Sequence, residues 1–371
     1  MKIKNITKPL ALTGAAALLL SAAGCADTSW SFKTKEKTFS NGAWIYYTNA
    51  ALSEAFTQIE KDTEVSVDVS KDDIASMKVG DKSIIDWVKE EATKDAKDYL
   101  TIEKLCAEYK LDLNKETYNN MKKTYTSYFD AGYMDLYKEL GVSVDTFTDC
   151  FGMYNERSEQ LFDYIYGKEG QKAVSDDEIK KYFTDNYTSY YYIPYSLKTT
   201  DPEDSEKTID VDDDTKDKVK SDFSKYAKEL NEGKSIDDIE TEYKTDFETD
   251  SVPGVQNTEV LKDSNMSEDL QKAITELKAK QATIKVINDT QYLLYRGDID
   301  AEAEELVKEE SESTSNVSSH TVLHAMKGDD YKTYLEEQQK ELKCEVNDAC
   351  LSKYTVQRTI DILKKVHADD N

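Results

Sequence analysis

From Lys82 to Tyr109 the chain runs 28 residues without a glycine or a proline. Ile85, Val88, Ala92, Ala96, Tyr99, Cys106 and Tyr109 recur there at helical spacing. Apolar positions at that period line one side of a helix, whereas a strand alternates every second residue and ends sooner. The stretch therefore demands a long amphipathic helix, and a partner to cover its stripe. Breakers are scarce elsewhere too, with 13 Gly and 4 Pro in 371 residues. That scarcity argues for long helices over a loop-rich sandwich, in a chain long enough for two domains.

Further helices surround this one. Ser40 is placed to cap a helix carrying Trp44, Tyr47, Ala51, Ala55 and Ile59. Residues 61–80 read as a polar connection. After LDLNKE a third helix is lined by Tyr118, Met121, Tyr125, Tyr128, Gly132 and Leu136, with Gly141 as its C-terminal cap. Ser143 opens a fourth, with Phe147, Phe151, Tyr154, Leu161 and Ile165 facing inward. In VSDDEIKKYF, Ser175 and Glu178 form a capping box, and Ile179 and Phe183 point to the core.

The pattern changes at NYTSYYYIPYSLK, residues 186–198, which holds five tyrosines. It alternates as a strand, with Tyr191, Ile193, Tyr195 and Leu197 on one face and Tyr190 and Tyr192 on the other. The first face is expected to pack beneath helices. The second is expected to face outward, where flat amphipathic rings with little entropy to lose suit an extended peptide. Residues 201–218 read as a solvated acidic loop. Its Asp210, Asp212, Asp213 and Asp214 lack the glycine and closing glutamate of a calcium-binding loop.

A helix with Val219, Phe223, Tyr226, Ala227 and Leu230 follows and stops at Gly233. SIDDIETEY and LQKAITELKAKQ (270–281) read as helices, ATIKVI and TQYLLYRGD as strands. Residues 302–319 read as a charged, Ser-rich linker. A last helical block, from about residue 321 to 365, carries Val322, Leu323, Met326, Tyr331, Leu335 and Leu342. Helices, then a small mixed unit, then helices again make the class α+β, mostly α. The simplest geometry folds the last helices onto the first block.

The net charge of −27 repels nucleic acid, so no nucleic-acid partner is expected. The amino terminus gives a location. Lys2, Lys4 and Lys8 precede an apolar run from Leu10 to Leu20, and small residues then lead to Cys25. This is the layout of a secretory signal, too short for a spanning helix. Ala22-Ala23-Gly24-Cys25 resembles the bacterial lipobox. The resemblance implies cleavage before Cys25 and a diacylglycerol with palmitate-like chains on its thiol. Two chains at about 0.8 kcal/mol per buried methylene hold a protein on the extracytoplasmic face of the membrane. Removing residues 1–24 takes away three lysines and no acids, which deepens the charge from −27 to −30. Cys106, Cys150, Cys344 and Cys350 match no zinc spacing, and the sequence leaves any disulfide pairing among them open.

The order of segments resembles the extracytoplasmic foldase lipoproteins of the PrsA/SurA type. KTFSNGAWIYYTNAALSEAF, VSDDEIKKYFTDNY, FSKYAKELNEGKSIDDIETEY, LQKAITELKAKQATIKVINDTQYLLYR and MKGDDYKTYLEEQQKELKCEVND carry the likeness. It implies a helical chaperone domain of the SurA/trigger-factor kind, with a small parvulin-like α+β domain inserted. The implied boundaries are 1–24 signal peptide, 25–39 tether and short strand, 40–185 helical part, 186–300 parvulin-like domain, 301–319 linker and 320–371 returning helices. The implied partners are unfolded or newly secreted polypeptides, and the likeness is compatible with a Gram-positive cell.

The family's two catalytic histidines do not carry over, because Tyr192 and Tyr292 stand at the matching positions. Residues 186–300 contain no histidine, and His320, His324 and His367 all lie beyond them. Prolyl isomerisation crosses a barrier of ~20 kcal/mol and needs a polar cluster at the twisted amide. A tyrosine supplies one hydroxyl and cannot copy an imidazole pair. Little or no isomerase activity is therefore expected, with no catalytic residue, no cofactor and no metal. Peptide contacts are assigned to Tyr190, Tyr192 and Tyr292. The alternatives are an isomerase with a rebuilt site and a non-catalytic surface lipoprotein.

Overall fold

A computed structural model describes residues 29–308 and 317–369. The expected signal peptide, Cys25 and much of the Ser-rich linker lie outside the described residues. The chain divides into two compact units, one of residues 1–158 with 337–371 and the other of residues 159–336. The fold is mostly helical with small antiparallel sheets, as the α+β reading expected.

In the first unit, the stripe that opened the sequence reading forms the helix Ile84–Glu108, capped by the Ser83 hydroxyl, which accepts from the Asp86 amide. Val88, Ala92, Ala96, Tyr99 and Cys106 are buried, with Ile84 rather than Ile85 at its start. Their partner is the helix Asn41–Thr63, through Trp44, Tyr47, Ala51 and Ala55. Ser40 holds the N-cap position but makes no capping bond, and its Oγ lies 3.3 Å from Thr146 Oγ1 instead. The strand Trp30–Lys33 pairs antiparallel with both Thr38–Ser40 and Glu345–Val346. The Trp44 indole N–H donates to the Tyr354 carbonyl at 2.7 Å. Segments more than 300 residues apart in the chain thus share one sheet and one core.

The expected third helix is two, Lys115–Asp130 and Asp135–Leu140, because Gly132 turns the chain at φ +86°. Gly141, at φ +90°, ends the second as expected. Ser143 caps the next helix, whose segment Thr148–Met153 widens into a π-helix. The four described cysteines are free thiols. Burial pushes the Cys106 thiol up to about 11 and raises Cys150 as well, so neither is a nucleophile at neutral pH.

Asp95 lies half-buried on the helix Ile84–Glu108. Burial, then the nearby Glu91, push its carboxyl up to about 7 from 3.8. The folded form therefore keeps a proton that the unfolded chain releases, and stability declines as pH rises from about 4 to about 7. Urea midpoints across that range should fall more steeply for the wild type than for Asp95→Asn. Parallel profiles would refute the assignment.

The second unit is built on a four-stranded antiparallel sheet in the order Val255–Glu259, Thr188–Ser196, Thr290–Arg296, Gln281–Ile287. The last two strands meet at Asn288-Asp289, both at positive φ, as a two-residue hairpin requires. The capping box of Ser175 and Glu178 is present, and Ile179 and Phe183 are buried.

Three expectations need correction here. The acidic loop of 201–218 is a hairpin, Lys198–Asp201 with Asp204–Asp210, followed by the start of the helix Asp213–Asn231. Lys198 and Lys216 each pair with Asp210, and Asp212 caps the helix, so the acids serve local structure. The helix expected over 270–281 is Glu268–Thr275, begun by the Ser267 cap. The segment expected as linker from residue 301 is helical at first, Ile299–Leu306, because Ala303 and Leu306 have a core to enter. Among the described residues no helix is long and apolar enough to cross a membrane.

Candidate functional site

The tyrosine strand Thr188–Ser196 lies inside its sheet, with Val255–Glu259 on one side and Thr290–Arg296 on the other. Alternation splits its rings between two cores. Tyr191 and Ile193 join Leu293, Val219, Phe223 and Tyr226 on the face covered by the helices Asp213–Asn231 and Ile236–Asp246. Tyr191 donates to Glu240 Oε1 at 3.1 Å. Gly254 lies against this ring, and a Cβ there would sit 2.8 Å from the Tyr191 hydroxyl.

Tyr190, Tyr192 and Tyr292 share the opposite face. Tyr190 and Tyr192 stack at 6.0 Å, and Tyr192 meets Tyr292 edge-on at 5.8 Å. Tyr192 and Tyr292 are therefore neighbours in space. Across the strands Tyr192 opposes Leu294 and Tyr292 opposes Pro194, a diagonal pair on one face.

This face is not open, contrary to the outward placement expected from the sequence. The helix Glu268–Thr275 and the turn Leu261–Asp263 cover much of it, and Tyr190 is only 3% exposed. Its hydroxyl donates to Glu259 Oε1 at 2.5 Å. Burial and that carboxylate hold its proton well above the ordinary tyrosine range. Tyr190 is thus a core residue. Tyr192, Tyr292 and Met266 are half-buried at the margin, beside Val255, which is 38% exposed and opposes Tyr192 across the strands. Burial and Tyr292 also raise Tyr192. What remains accessible is a small apolar shelf edged by two phenols. It can hold an apolar side chain, but among the described residues it offers no imidazole for acid–base work.

A larger aromatic surface lies in the first unit, and the sequence reading placed it inside. Tyr125, Tyr128 and Phe151 were expected to face the core. Tyr128 is 42% exposed, Phe151 43% and Tyr133 78%. Their rings form a chain, Tyr133 to Tyr128 at 6.2 Å, Tyr128 to Tyr125 at 6.4 Å and Tyr125 to Phe151 at 6.0 Å. Beneath them Phe147, 4% exposed, meets Tyr125 at 5.1 Å and Tyr137 at 4.9 Å. The row is thus rooted in the core.

Two local features place it. The π-helical turn Thr148–Met153 spaces Phe151 away from a strictly α-helical position. Gly152 leaves room for Tyr125, since a Cβ there would approach its ring to 3.0 Å. One sequence signal pointed outward: a helix whose stripe is mostly tyrosine presents amphipathic rings that tolerate water. The helix Lys115–Asp130 buries only Phe129.

A scan against protein-family models gives no match, and a search of curated proteins gives none. Among solved structures, the crystal structure of PrsA from Bacillus subtilis matches at 16% identity, covering 80% of this chain and 93% of that chain, with a TM-score of 0.23.

Proposed function

We propose that this protein is an extracytoplasmic chaperone or foldase that binds unfolded exported polypeptides, held at the membrane by a lipid on Cys25, with little or no prolyl isomerase activity. The observation that carries the reading is the aromatic row in which Tyr133, Tyr128 and Phe151 are exposed and Tyr125, half-buried, joins them. A contiguous apolar surface on a chain this acidic and polar calls for a partner. Tyrosine rings contact apolar side chains with their faces and backbone amides with their hydroxyls, so they accept many sequences.

In this reading the sheet unit is a degenerate parvulin-like domain inserted into a helical chaperone domain of the SurA/trigger-factor kind. The pairing of Trp30–Lys33 with Glu345–Val346 supports the insertion. The phenols at Tyr192 and Tyr292 support the weak catalysis, because each offers a single hydroxyl where an imidazole offers two ring nitrogens.

Two measurements test this. The protein should suppress light scattering from an aggregating unfolded client, and undiminished scattering at molar excess would refute the chaperone reading. Exchange spectroscopy on an Xaa-Pro peptide should show no enhancement over uncatalysed isomerisation, which takes tens of seconds or longer. A clear enhancement would instead favour the rebuilt isomerase.

A further inference from the structure

We propose that the second unit carries a binding site for a divalent transition metal of the zinc class, with Glu159, His320 and His324 as ligands and Asp163 beside His320. Glu159 and Asp163 are four residues apart on the helix Tyr154–Tyr166, and His320 and His324 are four apart on the helix Ser319–Lys340. That spacing puts each pair on one helix face. Two of the three histidines in the chain therefore converge on the same carboxylate, that of Glu159.

The distances fit a metal. His320 Nε2 lies 3.4 Å from Glu159 Oε2 and 3.3 Å from Asp163 Oδ1, and His324 Nε2 lies 2.9 Å from Glu159 Oε2. Zinc bonds of about 2.0–2.1 Å in a tetrahedron separate neighbouring ligand atoms by about 3.3 Å. Ligand atoms of Glu159, His320 and His324 all fall within 4.8 Å of one another. Little rearrangement is needed to close on an ion.

The rings are also held. Phe162 stacks on His324 at 3.8 Å and 13°, and His320 meets His324 edge-on at 4.6 Å. Phe162 is itself fully buried, so it braces the His324 imidazole from below. The His320 side chain is 49% exposed and that of His324 34%, which leaves a solvent path for the ion.

The donor set defines the ion. Imidazole nitrogen with carboxylate oxygen suits zinc, cobalt, nickel and copper, whereas magnesium and calcium prefer oxygen alone. Binding would clip together residues 165 positions apart in the chain. Because the unfolded chain lacks the site, binding favours the folded unit.

The test must separate this site from the general attraction of 75 acidic residues for cations. Zinc chloride is titrated calorimetrically into the full chain in excess magnesium, which occupies oxygen-only sites. One zinc per chain is expected, with an upward shift of the thermal midpoint. Cobalt(II) in its place should give the intense visible bands of a tetrahedral ion. The variant combining His320→Ala and His324→Ala should bind more than about 100-fold more weakly, lose the cobalt bands and show no zinc-induced shift. Alanine favours helix at both positions, and far-ultraviolet circular dichroism confirms that the variant is folded. Glu159→Gln, which keeps both histidines, should also weaken binding. Failure to bind zinc stoichiometrically in magnesium, or equal binding by the double variant, overturns the proposal.

Discussion

Trp44→Ala is expected to destabilise the first unit by about 3–5 kcal/mol, the largest single-residue loss in the molecule. The indole is 1% exposed, packs at 6.0 Å against Phe32 and donates to the Tyr354 carbonyl. Truncation leaves a cavity and also removes the hydrogen bond from the indole to the Tyr354 carbonyl, two costs that add. Trp44→Phe fills most of the volume but not the hydrogen bond, so it should lose less. The midpoint of urea unfolding measures both. Because the indole ties the first helix to the C-terminal segment, limited proteolysis should cut residues 348–369 sooner in Trp44→Ala. A loss below about 1 kcal/mol would mean that the first helix and the C-terminal segment do not share this core.

The second large effect is on function with stability spared. Replacing Tyr128, Tyr133 and Phe151 together by serine should weaken client protection about tenfold or more, since each ring adds ~0.5–1.5 kcal/mol of aromatic contact. All three are at least 42% exposed, so the unfolding midpoint should move little. Val65→Ser is the control: that residue is 65% exposed, yet its side chain is aliphatic and outside the aromatic row. It should leave protection unchanged. Equal protection by the triple variant would move client binding elsewhere, with the shelf at Tyr192 and Tyr292 as the next surface to alter.

Several helix stretches and ends could be read from the residues alone. The stripe from Val88 to Cys106, the capping box at Ser175 and the stop at Gly141 all rest on contacts within four residues. Which face of an element meets water was less accessible. Tyr190 looked outward but lies beneath the helix Glu268–Thr275, and Phe151 looked inward but lies in the open.

The reason is one of range. A cap or a helical period is stabilised by neighbours along the chain, so the residue string alone contains its cause. Burial depends on whichever segment arrives from far away, and the free energy of covering a ring belongs to the pair. Glu159 and His324 are ordinary surface residues on their own helices, and a side-chain cluster exists only because two helices pack. The string dictated helices, turns and the absence of histidine from residues 186–300, while packing alone dictated which aromatics face solvent and which charges meet.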